Sequence, residues 1–180
     1  MPASHESSQL VGLQRLFDST LKADAASIDS GATAFSTDFS DLRIVFLGRT
    51  TEAVDRSTIL VRLNNDSGAN YDRQAIRGAN ATASAFIGLA GTSWVLTAPG
   101  ANQQAGAAGT IEIYIPSYGQ VTFHKCGNAL VGCTDDTAAN LSMDALAVRW
   151  QNTAAITRVA ISAGSGNLLT GSRLAVYGIG

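Results

Sequence analysis

Charge is what this sequence has least of. Asp, Glu, Lys and Arg make up 14% of its 180 residues, against about 25% in an average soluble domain. Its surface is therefore dressed mainly in Ala, Ser, Thr, Asn and Gly, which shed water at little cost, whereas Lys and Glu resist burial against a neighbour. That favours an oligomer or a lattice subunit. The formal net charge of −2 supplies no basic field. No cluster of Lys and Arg interleaves with aromatic residues either, so a nucleic-acid partner is excluded.

Long apolar runs are missing too. None approaches the ~18 residues that a membrane-spanning helix needs. Met1 to Gln9 lacks the charged and apolar regions of a signal peptide, so the expectation is folding in a cytoplasm with no membrane partner. Only two cysteines occur, Cys126 and Cys133. Their spacing would let them cap a hairpin loop, but a reducing compartment leaves them as free thiols. The length suits one domain with a terminal arm, because a core of this size buries roughly 70% of the surface of the unfolded chain. No disulfide or metal is required.

Two textures divide the chain. Between about Ser7 and Ala26, apolar residues fall at Leu10, Leu13, Leu16, Phe17 and Leu21, near the helical period. This predicts a short amphipathic helix or an extended arm over residues 1–33, packed on its own domain or gripping a neighbour as an assembly contact. From residue 34 onward, short β-rich runs alternate with clusters of Gly, Asn, Asp, Ser and Thr. Nine strands are expected: Leu42 to Gly48, Thr58 to Leu63, Ser84 to Leu89, Trp94 to Thr97, Thr110 to Ile115, Val121 to His124, Leu146 to Trp150, Ile156 to Ser162 and Arg173 to Tyr177. Ile111, Ile113 and Ile115 oppose Glu112 and Tyr114, and Leu60 and Leu63 flank Arg62, as in half-buried antiparallel strands. No helical segment long enough for a parallel crossover separates the runs. The expected fold is an all-β antiparallel sandwich, jelly-roll-like, over residues 34–180. Gly100 to Gly109 is too poor in large apolar groups to pack and is expected as an exposed loop.

Candidate chemistry is sparse. His124, Cys126 and Cys133 are three soft ligands without the paired close spacing or the fourth ligand of a zinc site. The simpler expectation is a surface His124 and cysteines filling small apolar spaces. Asn64 to Asp72 is rich in side-chain oxygens but lacks the EF-hand spacing; Asn, Asp and Gly together are what a tight turn demands. His5 and His124 are the only histidines, and neither sits in a hydrolase motif. Gly164 to Leu169 lacks the third glycine of a dinucleotide fingerprint and is expected as a hairpin turn. Glu112, Asp135, Asp136 and Asp144 are the carboxylates available for glycoside chemistry, but few aromatic residues stand near them to stack a sugar. The tripeptides at Asn65, Asn80 and Asn140 match the glycosylation pattern by chance, given the expected cytoplasmic origin. No catalytic, cofactor-binding or metal-binding residue is assigned, and the chain is expected not to be an enzyme.

Leu60-Val61-Arg62-Leu63-Asn64-Asn65-Asp66-Ser67-Gly68-Ala69-Asn70-Tyr71-Asp72, and Gly166-Asn167 through Gly171-Ser172-Arg173-Leu174-Ala175-Val176-Tyr177-Gly178-Ile179, resemble segments of structural proteins of tailed bacteriophages. The resemblance covers roughly Phe35 to the C-terminus. It implies a jelly-roll scaffold in which these segments serve structure rather than catalysis. Within the terminal segment, Gly171-Ser172 makes a turn, Leu174, Val176 and Ile179 offer apolar groups to the core, and Arg173 and Tyr177 are placed to tie the strand to a neighbour. The first expected function is a capsid cement or decoration protein, a homotrimer bound to the major capsid protein or another virion protein, with the arm bridging shell subunits. The expected location is the virion, assembled in the cytoplasm of the bacterial host. The second is a receptor-binding module at a fibre tip, touching a host surface receptor through loops near Asn64 to Asn80 and Gly100 to Gly109. An enzyme acting on envelope polysaccharide is the weakest of the three.

Overall fold

The structure, a computed structural model, describes residues 12–32, 35–36, 38–134 and 141–180. They form twelve strands: β1 (Leu13–Thr20), β2 (Ser27–Asp29), β3 (Asp41–Gly48), β4 (Arg56–Leu63), β5 (Tyr71–Ala79), β6 (Thr82–Gly91), β7 (Trp94–Pro99), β8 (Gly109–Pro116), β9 (Lys125–Thr134), β10 (Leu141–Trp150), β11 (Val159–Ala163) and β12 (Arg173–Ile179). Every pairing is antiparallel. The strands make an eight-stranded sheet, β1-β12-β3-β8-β9-β10-β5-β6, and a four-stranded sheet, β2-β11-β4-β7. The protein is an all-β sandwich, and among the described residues no helix occurs.

The core lies where the small sheet covers the large one. Strict alternation aims Leu42, Ile44 and Phe46 of β3 and Ile111, Ile113 and Ile115 of β8 inward. They meet Ile59, Val61 and Leu63 of β4, and all nine are fully buried. Of the two leucines expected beside Arg62, Leu63 faces inward while Leu60 faces the other way with Arg62, because residues three apart in a strand lie on opposite faces. Burial of nine such side chains supplies on the order of 15–25 kcal/mol before chain entropy is counted.

The two segments quoted above are structural devices. Asn64 and Asn65 turn the chain in the left-handed region, with φ of 51° and 57°, which Asn tolerates better than most residues. The Asn64 side-chain oxygen accepts the Thr157 and Arg158 N–H groups at 2.8 and 3.1 Å. Asp66 accepts Gly68 N–H, the Asn70 amide and the Trp150 indole N–H at 2.7–2.8 Å. These donors outweigh the effect of burial and hold its carboxyl below the usual range. The Tyr71 hydroxyl bonds both backbone groups of Leu63, and its ring sits edge-on to Trp94 and stacks with Trp150. At the C-terminal strand, Gly178 lies against the Phe39 ring, which occupies the space a side chain would need.

The N-terminal segment is strand, not helix. β1 pairs with β12 as one edge of the large sheet, and β2 pairs with β11 in the small one. Residues 13–29 thus add an outer strand to each sheet. A bulge in β1 between Arg15 and Phe17 shifts its register. That shift breaks the two-residue alternation and mimics the three-to-four spacing of a helix.

Candidate interaction face

The eight-stranded sheet is twice as wide as its partner, and β6 at its margin has no buried residue. At this overhang the usual polarity of a sandwich strand is inverted. Asp144 of β10 points inward and is 3% exposed. There it accepts the Arg77 guanidinium at 2.8 and 2.9 Å and Arg56 of β4 at 3.2 Å, with the Thr97 hydroxyl at 3.4 Å. Arg73 and Arg77 lie over the Phe86 ring at 5.7 and 4.6 Å. Burial and the nearby Arg77 lower the proton affinity of Arg73. The outer side of the same strands carries Ile76, Ile87, Leu130, Leu141 and Met143, each more than half exposed.

Register shows how far this apolar surface runs. One row crosses Ile76 of β5, Ala145 of β10 and Leu130 of β9, then reaches Glu112 of β8. The next row inward from β6 is Ile87, Gln74, Ala147 and Asn128, then Tyr114. Across β9, β10, β5 and β6, charge on the outer side is confined to one end, where Arg149 pairs with Asp72 at 2.5 Å. Burial opposes the charge of Asp72, but Ala90 N–H, Arg149 and Gln151 prevail and hold its carboxyl low. Beside this pair a groove of about 460 Å³ opens among Gln74, Leu89, Pro116, Cys126, Asn128 and Arg149.

The β8–β9 connection stands at the same end. Val121 to His124, expected as a strand, is an exposed loop, with Val121 and Phe123 66% and 72% exposed. Its backbone is nevertheless held. The Gln120 carbonyl oxygen of the side chain accepts Thr122 and Phe123 N–H at 2.6 and 2.8 Å. The buried Lys125 ammonium donates to the carbonyls of Gln120, Phe123 and Thr153 at 2.5, 3.3 and 2.9 Å. Burial pulls the Lys125 proton affinity down. Arg49 similarly clamps the 100–109 loop through the carbonyls of Gly100, Gln103 and Gln104. That loop is exposed except at its ends, at buried Gln103 and at half-buried Ala107.

Of the residues expected as assembly contacts, Leu16, Phe17 and Leu21 pack against the chain's own core. Leu13 is half exposed on β1; Leu10 lies outside the described residues. Glu112 and Asp144 occupy opposite faces of one sheet, because Glu112 registers with exposed Leu130 and Asp144 with buried Val131. They therefore share no cleft. Asp135 and Asp136 lie outside the described residues. Cys126 faces out and Cys133 in, with no disulfide between them. At seven residues apart along β9, or about 23 Å, they do not converge with His124. Cys126 is exposed rather than filling an apolar space. Residues 71–79, expected within a binding loop, form β5 inside the sheet, and Gly164 to Leu169 connects the two sheets instead of making a hairpin. The apolar outer face itself was missed, although Ile76, Ile87, Leu130 and Met143 opposite Arg77, Ser84, Val131 and Asp144 carry its signature in the sequence.

No protein-family model and no curated protein matches the chain. Among solved structures, it is similar to an exo-inulinase from Aspergillus awamori at 10% identity and a TM-score of 0.42, over 92% of this chain and 29% of that one. It is also similar to the CBM40 domain of a Ruminococcus gnavus IT-sialidase bound to sialyllactose, at 10% identity and a TM-score of 0.42, over 91% of both chains. The chain spans less than a third of the inulinase.

Proposed function

We propose that this protein is a non-enzymatic component of a tailed-bacteriophage particle, a cement or decoration protein that seats its apolar outer face on neighbouring copies and shell subunits. The observation that carries this reading is the inverted polarity of the overhang, where ions face the sandwich and Ile76, Ile87, Leu130 and Met143 face out. Contiguous apolar surface of this kind marks an interaction site, and its small, uncharged surroundings are cheap to desolvate. The bacteriophage assignment rests on the resemblance of the Leu60 to Asp72 and Gly166 to Ile179 segments. Particle copies would multiply a modest contact through lattice valency.

Reconstitution tests it. Purified protein added to particles stripped of it should bind saturably and raise their resistance to heat. A Leu130→Asp, Met143→Asp variant should remain folded yet bind at least about a hundredfold more weakly, since two apolar anchors of about 1.5–3 kcal/mol each are lost. Undiminished binding by that variant refutes the face as the contact. A second reading, a receptor-binding tip, draws on the β8–β9 loop, whose clamped backbone presents Val121 and Phe123 to solvent as preformed anchors. Host-cell binding that Phe123→Ser abolishes would favour it.

A further inference from the structure

We infer that strand β6 is a dimerisation edge, pairing antiparallel with β6 of a second copy about a two-fold axis to join two eight-stranded sheets into one of sixteen. β6 ends the sheet, runs ten residues from Thr82 to Gly91, and is exposed or half-buried throughout. Its sequence, Thr-Ala-Ser-Ala-Phe-Ile-Gly-Leu-Ala-Gly, holds no charge and no proline. Side chains meet its backbone at two places, Gln74 at the Phe86 carbonyl at 3.3 Å and Asp72 at the Ala90 N–H at 2.9 Å, and a long uncharged edge of this kind is what soluble proteins avoid unless something covers it.

The other edges are guarded. β1 carries Arg15 and Asp18, and β2 has only three residues. On β7, Arg73 donates to the Val95 carbonyl, Arg62 takes the neighbouring Thr92 carbonyl at 3.1 Å, and the strand ends in Pro99. With one long uncharged edge among the described strands, head-to-tail strand pairing has no second such site among them to use, whereas β6 is its own complement under a two-fold. No like charges meet across that axis. With the axis at Ala85, Ala83 of each copy would face Ile87 of the other and Ser84 would face Phe86, so the outer rows through Ala83, Ala85 and Ile87 would continue from one copy to the next.

The paired strip, Thr82 to Gly88, is roughly 23 Å long by about 10 Å deep, or roughly 230 Å² per copy. That is below the ~800 Å² per partner of a standard stable interface. The isolated dimer should therefore be weak and reversible, and completed by crowding on a particle. This inference goes beyond the particle role and holds for any setting in which copies are concentrated.

Sedimentation equilibrium of the full chain across a wide concentration range should show a monomer–dimer equilibrium. Ala83→Lys with Ala85→Lys, both on exposed positions, should weaken it at least tenfold while circular dichroism and Tm stay unchanged. Leu130→Asp, away from the edge, should leave the dimer intact while particle binding falls, which separates this inference from the particle role. On a Cys126→Ser background, Ala85→Cys near the strand centre should crosslink to its mate under mild oxidation, and Leu13→Cys should not. A strictly monomeric wild type at millimolar concentration overturns the inference. So does a dimer that survives the paired lysines, or a β6 that pairs only with a different particle protein.

Discussion

The outer face of the large sheet has two halves built from the same backbone and finished differently. Over β8, β3, β12 and β1, charges are interlocked: Arg43 meets Glu112 at 2.9 Å, Arg173 meets Asp18 at 2.7 Å, and the Tyr114 hydroxyl donates to Asp41 at 2.6 Å. Over β9, β10, β5 and β6 the same rows carry Leu, Ile, Met and Ala with the neutral Gln74 and Asn128. Beneath, the charged half covers a dry core of Leu42, Ile44, Phe46, Ile111 and Ile113, while the apolar half covers Ala75, Val131, Leu146 and Val148 and, towards its margin, the buried Asp144 with its arginines. The first half is thus apolar on one side only. The second carries apolar groups on both sides, and the lone chain leaves the outer ones bare.

The largest expected effect comes from breaking the inner side of the apolar half. Asp144→Ala removes the carboxylate shared by Arg56 and Arg77 and should cost about 3 kcal/mol or more, since breaking a buried ion network from one side is strongly destabilising. Urea denaturation would read this directly. Loss of less than about 1 kcal/mol would mean that the overhang contributes little to the fold, and that its polarity has no structural cause.

A smaller effect should follow on the outer side. Ile76→Ser with Leu130→Ser should change folding stability by no more than about 0.5 kcal/mol, as surface substitutions away from special features do, while raising solubility and weakening binding to the particle. Glu112→Ser on the charged half should shift stability similarly little and leave association alone. If the two serines instead destabilise the monomer by several kcal/mol, the apolar half belongs to the core and the contrast between the halves dissolves.

How legible this was in the sequence depended on how cleanly each strand alternates. Ile111, Ile113 and Ile115 announced β8, and the all-β sandwich followed from such runs and from the turn residues between them. β5 and β9 went unseen. Arg73 and Arg77 occupy inward positions of β5, and β9 is diluted by Gly127, Asn128, Ala129 and Gly132, so neither shows an apolar stripe. β1 was hidden by its bulge. The candidate face was written in the sequence as alternation of the wrong sign: Leu141, Ser142, Met143 and Asp144 alternate perfectly, but only the width of the second sheet determines which side is covered. That width is a tertiary fact, set by four strands facing eight.

The smallest effect concerns pH and salt, and it should separate the halves most cleanly. Asp18 accepts Arg173 through both oxygens at 2.8 and 2.7 Å, latching β1 to β12. The Arg173 hydrogen bond, reinforced by Arg15, outweighs desolvation and holds the Asp18 carboxyl below its ordinary 3.8. Asp29 is held low chiefly by Arg158 in the same manner. A depressed folded-state value means that the latch contributes fully above about pH 4 and is lost as pH falls through the folded value, because the unfolded chain takes up its proton first. Amide exchange should show β1 losing protection as pH falls below about 4, with no change between pH 7 and 5. Being solvent-exposed, the latch should also weaken as salt screens it. Association through the apolar half carries no such carboxylate at its centre. It should hold constant from pH 7 to 5 and strengthen in sulfate, which favours apolar burial. Opposite responses to sulfate, protection falling at β1 while association rises, would show that the two halves are held by different forces; a shared direction would show that charge governs both.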